Sequence, residues 1–228
     1  MDGKTWQTYI DPSSSDEELH RGKVINLNKG ETVYLKATLG DVEVNPNLDN
    51  GFTYYNEDGG YASKYHYFVM TGSIKASGNI QFLLENSGTK TDVPKHCYYS
   101  MFSNCSSLTQ APALPATTLA SGCYDSMFFH CTKLTQAPAL LATILADYCY
   151  SWMFNNCESL TQAPSLPATT LAYSCYEHMF GNCNNLTQAP ELPATTLADR
   201  CYLDMFYKCT ALTQAPELPA TTLAESCY

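Results

Sequence analysis

Positive charge is what this sequence has least of, and it thins along the chain. There are 12 Lys and Arg against 22 Asp and Glu, a net charge of -10 over 228 residues. Residues 1–96 carry 13 acidic and 9 basic side chains, and residues 97–228 carry 9 and 3. Nucleic-acid phosphates and anionic membrane surfaces both require the opposite balance, so neither is expected as a partner. No apolar run approaches the roughly 18 residues of a membrane helix. The opening "MDGKTWQTYIDPSSSDEELHRG" has no apolar h-region, so no signal peptide is visible. Glycine-rich phosphate loops, HExxH and GxSxG are missing as well; "GNI" and "DGG" are turn signals. The five histidines, His20, His66, His96, His130 and His178, are scattered, with no recurrent acid or nucleophile beside them. They are expected at the surface. Asp49, Glu57 and Asp58 sit in a polar loop that misses the spacing of a calcium loop. The expectation is a chain with no enzymatic centre, no cofactor and no metal.

What the sequence has in quantity is regular cysteine. Cys97, Cys123, Cys149, Cys175, Cys201 and Cys227 recur every 26 residues, and so do Cys105, Cys131, Cys157, Cys183 and Cys209. These are all 11 cysteines. Each pair belongs to a phrase such as "CYYSMFSNCSSLTQAPALPATTLASG", 97–122. Five units follow one another, and Cys227-Tyr228 opens a sixth, so the chain reads as a fragment of a longer array. A period of 26 lies in the window of leucine-rich repeats, in which each unit adds a short strand and a convex segment.

Residues 1–90 do not repeat. The stretches 23–27, 31–39, 64–76 and 79–85 are rich in β-branched and aromatic residues and are punctuated by Gly and Asn. They predict strands and hairpins. Residues 41–63 predict a long loop with a short strand at 52–55, and 86–92 is a hydrophilic joint. The division is therefore a β-rich capping domain, 1–90, and a repeat array, 91–228.

Within one unit, 118–134, apolar residues stand at 0, 1, 4, 5, 8, 9, 12 and 15 counted from Leu119. At 100° per residue they occupy half of a helix. This predicts an amphipathic helix that buries Leu119, Cys123, Met127 and Cys131, with Tyr124 and Phe128 on its flank. "LTQAP" predicts a brief parallel strand ended by proline, with Leu108, Leu134, Leu160, Leu186 and Leu212 inward. "PATT" would return the chain and offer a threonine cap. Strands stack more closely than helices, so the array would curve with its strands on the concave face. Thr109, Thr135, Thr161, Thr187 and Thr213, with Gln110, Gln136, Gln162, Gln188 and Gln214, would form in-register polar rows there. Such rows can be structural ladders of amides, or an uncharged periodic surface for a repetitive ligand such as a polysaccharide. The threonine grid also brings ice binding to mind, as a remote alternative. Trp152, Tyr173, Phe129, Tyr148 and Tyr207 occupy variable outward slots. They could stack on sugars or anchor a protein, but they do not recur.

For the cysteines, a helix would place Cys97 and Cys105 roughly 12 Å apart, and helices side by side would hold equivalent cysteines too far apart for a disulfide. Zinc spacings do not occur. Cys97, Cys105, Cys123, Cys131, Cys149, Cys157, Cys175, Cys183, Cys201 and Cys209 are therefore expected as small buried core residues. Some disulfides, and less readily a metal, are the alternatives.

The phrase "MFxNCxxLTQAPxLPATTLAxxCY", as in 153–176, resembles the BspA-like leucine-rich repeats of surface proteins of gut anaerobes and their phages. The upstream "YFVMTGSIKASGNIQFLL", 67–84, resembles the segment that often precedes such arrays. The likeness covers about residues 64–228. Unit 2 departs from it, with Leu141 for proline and Ile144 for threonine, which puts its turn geometry in question. The resemblance implies an α/β solenoid, a right-handed superhelix with short parallel strands on the concave face behind a β-rich cap. It implies a non-enzymatic adhesion or binding module on a cell surface or virion, extracellular, recognising a host or bacterial surface protein or a polysaccharide. The alternative is a structural spacer or decoration protein that contacts only virion or surface-layer subunits.

Overall fold

The structure is a computed structural model that describes residues 74–83 and 91–228, all within one compact unit. The expected strands at 23–27, 31–39 and 52–55, the loop 41–63 and the first part of 64–76 lie outside the described residues.

The segment expected to be a helix is a chain of turns. In 94–105 the N–H groups of Cys97, Tyr99, Met101, Ser103 and Cys105 donate to carbonyls three residues back, at 2.9–3.3 Å. The intervening N–H groups go elsewhere. His96, Tyr98, Ser100, Phe102 and Asn104 donate to Ser121, Cys123, Asp125, Met127 and Phe129 of the next unit, at 2.7–3.0 Å. Local and lateral bonds thus alternate residue by residue, and every amide from His96 to Cys105 has a partner, as burial requires. The pattern repeats from unit to unit, for example Tyr124 to Cys149, Tyr150 to Cys175 and Tyr176 to Cys201. No α-helix is present among the described residues.

The apolar spacing explains the correction. Residues 119, 120, 123, 124, 127, 128 and 131 keep a period of four with no slip, whereas a helix turns every 3.6 residues. Over three turns the slip reaches about 120°, so the apolar positions still fall within one half of a helix. Each pair of turns returns the chain to the same face, so both members of each apolar pair point inward. Tyr124 and Phe128, expected on a flank, are as buried as Met127 and Cys131.

Closing these turns places every fourth residue in the left-handed region, at φ 48–61°. Ser100, Asn104, Ser126, His130, Trp152, Asn156 and their equivalents all lie there. Asn tolerates this conformation, and it fills the third such position in units 1, 3 and 4. Other side chains cost about 1 kcal/mol each. Against roughly 3 kcal/mol of strain per unit stands the burial of a Tyr, a Phe and a Met, at about 1.5–3 kcal/mol apiece. Burial outweighs the strain. At Gly122, φ 59°, the His96 ring lies where a Cβ would sit, so glycine serves twice over.

Aromatic rings line the inside in two files. Tyr98, Tyr124, Tyr150, Tyr176, Tyr202 and Tyr228 stack at 5.6–5.9 Å between centroids. Phe102, Phe128, Phe154, Phe180 and Phe206 stack at 5.5–5.9 Å. Interplanar angles are 12° or less, an arrangement that lateral backbone bonding imposes on identical side chains.

On the other side of each unit, β1 (Ile74–Lys75) pairs in parallel with β2 (Leu108–Gln110). In later units "LTQ" gives no further strand, only the bridge Gln162↔Gln188. Proline supplies no N–H, so within "APxLP" only the isolated bridges Asn79↔Ala113 and Leu114↔Leu140 form. Beyond it parallel contact runs in a file, Asp92, Thr118, Ile144, Thr170, Thr196, Thr222. The threonine expected to cap a helix therefore lies in this file. The expected strand at 79–85 is also different: Ile80–Leu83 is a short 3-10 helix. It supports the first unit, since Tyr98 Oη donates to Gln81 Oε1 at 2.9 Å. Ile80 and Val93 belong to the same core as the units.

Far-UV circular dichroism distinguishes the two local geometries. The expected spectrum lacks the paired helical minima near ~208 and ~222 nm that helices in every unit, on the order of a third or more of the chain, would give.

Candidate functional site

The polar rows divide into two chemistries. Thr109 Oγ1 donates to Ile74 O at 3.1 Å, Thr135 Oγ1 to Thr109 O at 3.4 Å, and Thr187 Oγ1 to Thr161 O at 3.2 Å. These hydroxyls staple one unit to the one before. Thr109 is half-buried, while Thr135, Thr161, Thr187 and Thr213 are exposed. Gln110, Gln136, Gln162, Gln188 and Gln214 are exposed in every unit. Each offers an amide, two donors and an acceptor, to whatever lies outside. The rows that the sequence brings together by period are thus together in space, but the glutamines carry the outward polarity.

All 11 cysteines are buried thiols, none joined in a disulfide. The helix-spacing argument against disulfides between units does not hold, because units joined by lateral backbone bonds stack at about 4.8 Å, not at helix distance. The thiols of the second file have a different employment. Cys131, Cys157, Cys183 and Cys209 Sγ donate to the carbonyls of Phe102, Phe128, Phe154 and Phe180 in the preceding unit, at 3.1–3.2 Å. Those carbonyls also accept the N–H three residues on, so each thiol fills a remaining lone pair. Cys175 and Cys201 reach the carbonyls of the following unit at 3.9 and 3.6 Å. Burial pushes the Cys175 thiol up to about 12 and those of Cys201 and Cys209 up to about 11. Such thiols are poor nucleophiles at neutral pH.

The outward aromatics converge, which their lack of recurrence had hidden. Trp152 stacks on His178 with centroids 4.1 Å apart, and Phe129 lies 6.2 Å from Trp152 on its other side. His178 Nε2 is 3.5 Å from Asp204 Oδ2. Tyr148 meets Tyr173 edge-on at 5.3 Å, and Arg200 pairs with Glu177 at 3.4 Å. His130 Nδ1 lies 3.1 Å from Asn104 Oδ1. His130 is exposed, as expected, while His178 is half-buried with Asp204 beside it. The signal was available: Trp152, His178 and Asp204 are 26 apart, and stacked units make such residues neighbours. These groups saturate one another across units 2–5. Tyr207 stands apart and half exposed, with Lys208 Nζ 5.0 Å from its centroid.

A buried hydroxyl and a half-buried carboxyl complete the picture. Tyr124 Oη is buried with no hydrogen-bond partner. Asp125, which accepts from Ser126 Oγ at 2.7 Å, has its carboxyl pushed up to about 7, chiefly by burial and further by Glu177, against the Ser126 bond. Among the described residues no three His, Cys, Asp or Glu gather as a metal set would. No helix of the described residues is long and apolar enough to cross a membrane. His20, His66, Asp49, Glu57 and Asp58 lie outside the described residues. Comparison with family models, with curated proteins and with solved structures returns no match.

Two measurements check this chemistry. A thiol reagent at neutral pH should label the native protein far more slowly than the denatured one, in which all 11 thiols react; rapid native labelling of Cys131 or Cys157 would contradict the buried S–H···O files. The Asp125 carboxyl keeps its proton to about 7 when folded and loses it near ~4 when unfolded. The folded state then binds the extra proton, so its contribution is complete below about pH 4 and is lost as pH rises to about 7. The melting temperature of Asp125→Asn relative to wild type should accordingly climb across that window.

Proposed function

We propose that this chain is a non-enzymatic binding module, a solenoid of the leucine-rich-repeat class like the BspA-like arrays, displayed on a cell surface or virion. It recognises a surface protein or a polysaccharide through the glutamine row Gln110, Gln136, Gln162, Gln188 and Gln214. The observation that carries this reading is that these amides are exposed in every unit, while the hydroxyls of Thr109, Thr135 and Thr187 beside them bond within the array. An uncharged row with a step of about 4.8 Å suits a ligand that is itself repetitive and uncharged. Amides give directional bonds to hydroxyl-rich polymers without the cost of desolvating charge.

A second reading, a spacer or decoration protein contacting only virion or surface-layer subunits, draws on the threonine staples. They make the same face a structural seam, and a seam alone would suffice for a spacer.

A glycan panel and whole-cell binding test the first reading. Replacing Gln136, Gln162 and Gln188 together by alanine should abolish binding and leave the melting temperature within a few degrees, because exposed side chains contribute within about 0.5 kcal/mol each. Binding unchanged in the triple variant would remove the row from the site.

A further inference from the structure

Unit 2 breaks its own phrase at two places, and both put a large aliphatic side chain into solvent. Leu141 stands where the other units have Pro115, Pro167, Pro193 and Pro219. Ile144 stands where they have threonine. Leu141 is 50% exposed and Ile144 70%. Neither departure disturbs the backbone, since the bridges Leu114↔Leu140, Thr118↔Ile144 and Ile144↔Thr170 are all kept. The substitutions alter only what the surface shows, and folding gains nothing from exposing them.

Leu141 forms a ridge between two hollows. One, of about 530 Å³, is lined by Ala137, Pro138, Pro164 and Pro167 among others, and the second, of about 410 Å³, by Pro112 and Ala113 among others; Leu141 and Pro138 line both. No charged side chain lines either hollow. Residues 108–118, 134–144 and 160–170 contain no charge at all, whereas Glu191 and Glu217 enter the equivalent stretches of units 4 and 5.

We propose that this patch, centred on Leu141 and Ile144, is the contact through which two copies of the chain pair about a two-fold axis. A ridge beside a hollow made from the same residues is self-complementary, which an isologous contact requires. Each Leu141 enters the partner copy's hollow. The chain carries a net charge of -10, and this stretch lets two such molecules approach without facing like charges. The apolar area, three units deep at about 4.8 Å per step, is on the order of a few hundred Å² per copy, so the dimer is weak and concentration-dependent. The inference does not depend on the ligand of the glutamine row. Gln110 lines the second hollow, and the uncharged stretches also hold Gln136 and Gln162, so pairing covers part of that row and competes with a ligand there.

Sedimentation equilibrium of the full chain in a thiol reductant, over roughly 10 to 500 µM, tests this. Wild type should pass from monomer to dimer across the range. Leu141→Pro with Ile144→Thr restores the phrase of the other units, so it should keep its spectrum and melting temperature and weaken pairing at least tenfold. Leu141→Lys, which sets like charges against each other across the axis, should do the same without proline. A wild type that stays monomeric throughout overturns the proposal, as does an unchanged dimer in both variants. A monomeric wild type that binds a hydrophobic dye, with binding lost in the double variant, overturns it too and assigns the patch to a foreign partner.

Discussion

Everything described in this chain depends on where its amides point. In the turn segments one N–H closes a turn three residues back and the next crosses to the neighbouring unit. A helix satisfies itself and can pack at any of several angles. A chain of turns satisfies only half of its amides, and the other half bind the next unit in one register. Register, spacing and side-chain order all follow from that division. Identical residues must lie above one another, so tyrosine stacks on tyrosine and phenylalanine on phenylalanine. Thiols meet the same carbonyl in unit after unit.

The same constraint sorts the residues by tolerance. Inward positions are repeated almost letter for letter because each touches its own copy on either side. Outward positions vary, yet they are not free: many lie at positive φ, and each is a neighbour of its equivalent one unit away. The Trp152–His178 stack and its contact with Asp204 arise from that adjacency. Two rows depart from this, outward yet invariant: the glutamines, and Thr117, Thr143, Thr169, Thr195 and Thr221. Leu141 and Ile144 are the opposite case, positions that are constant elsewhere and change in one unit. The proposed ligand row rests on the first of these cases and the proposed contact between copies on the second.

Much of this could be read in the sequence. The 26-residue period, the inward leucines and cysteines, the outward glutamines and the proline-limited strand are all visible in the letters. The apolar spacing was visible too, and it was read with the wrong period. All eight apolar positions fall within half of a helix at 100° per residue, and seven of them also keep a period of four. The slip between the two reaches about 120° over twelve residues, still inside the half-circle that an amphipathic helix buries. The disulfide argument inherited the error, since it assumed helix spacing between units. Convergence of the outward aromatics was missed because recurrence in the same column was sought, while the contacts run between different residues in adjacent units.

The sequence by itself determined what repeats and at what interval, because period and composition are properties of the string. It also determined which residues can tolerate solvent. The tertiary structure alone decided what satisfies the backbone, because an amide that bonds laterally has its partner in a different unit. It decided burial for the same reason. Leu192 and Leu218 occupy one place in the phrase, yet the first is 4% exposed and the second 51%. The residue type is identical, and the difference lies in the cover each leucine receives. Hydrophobic stabilisation scales with the area removed from water, and in this array that area is removed by the adjacent unit.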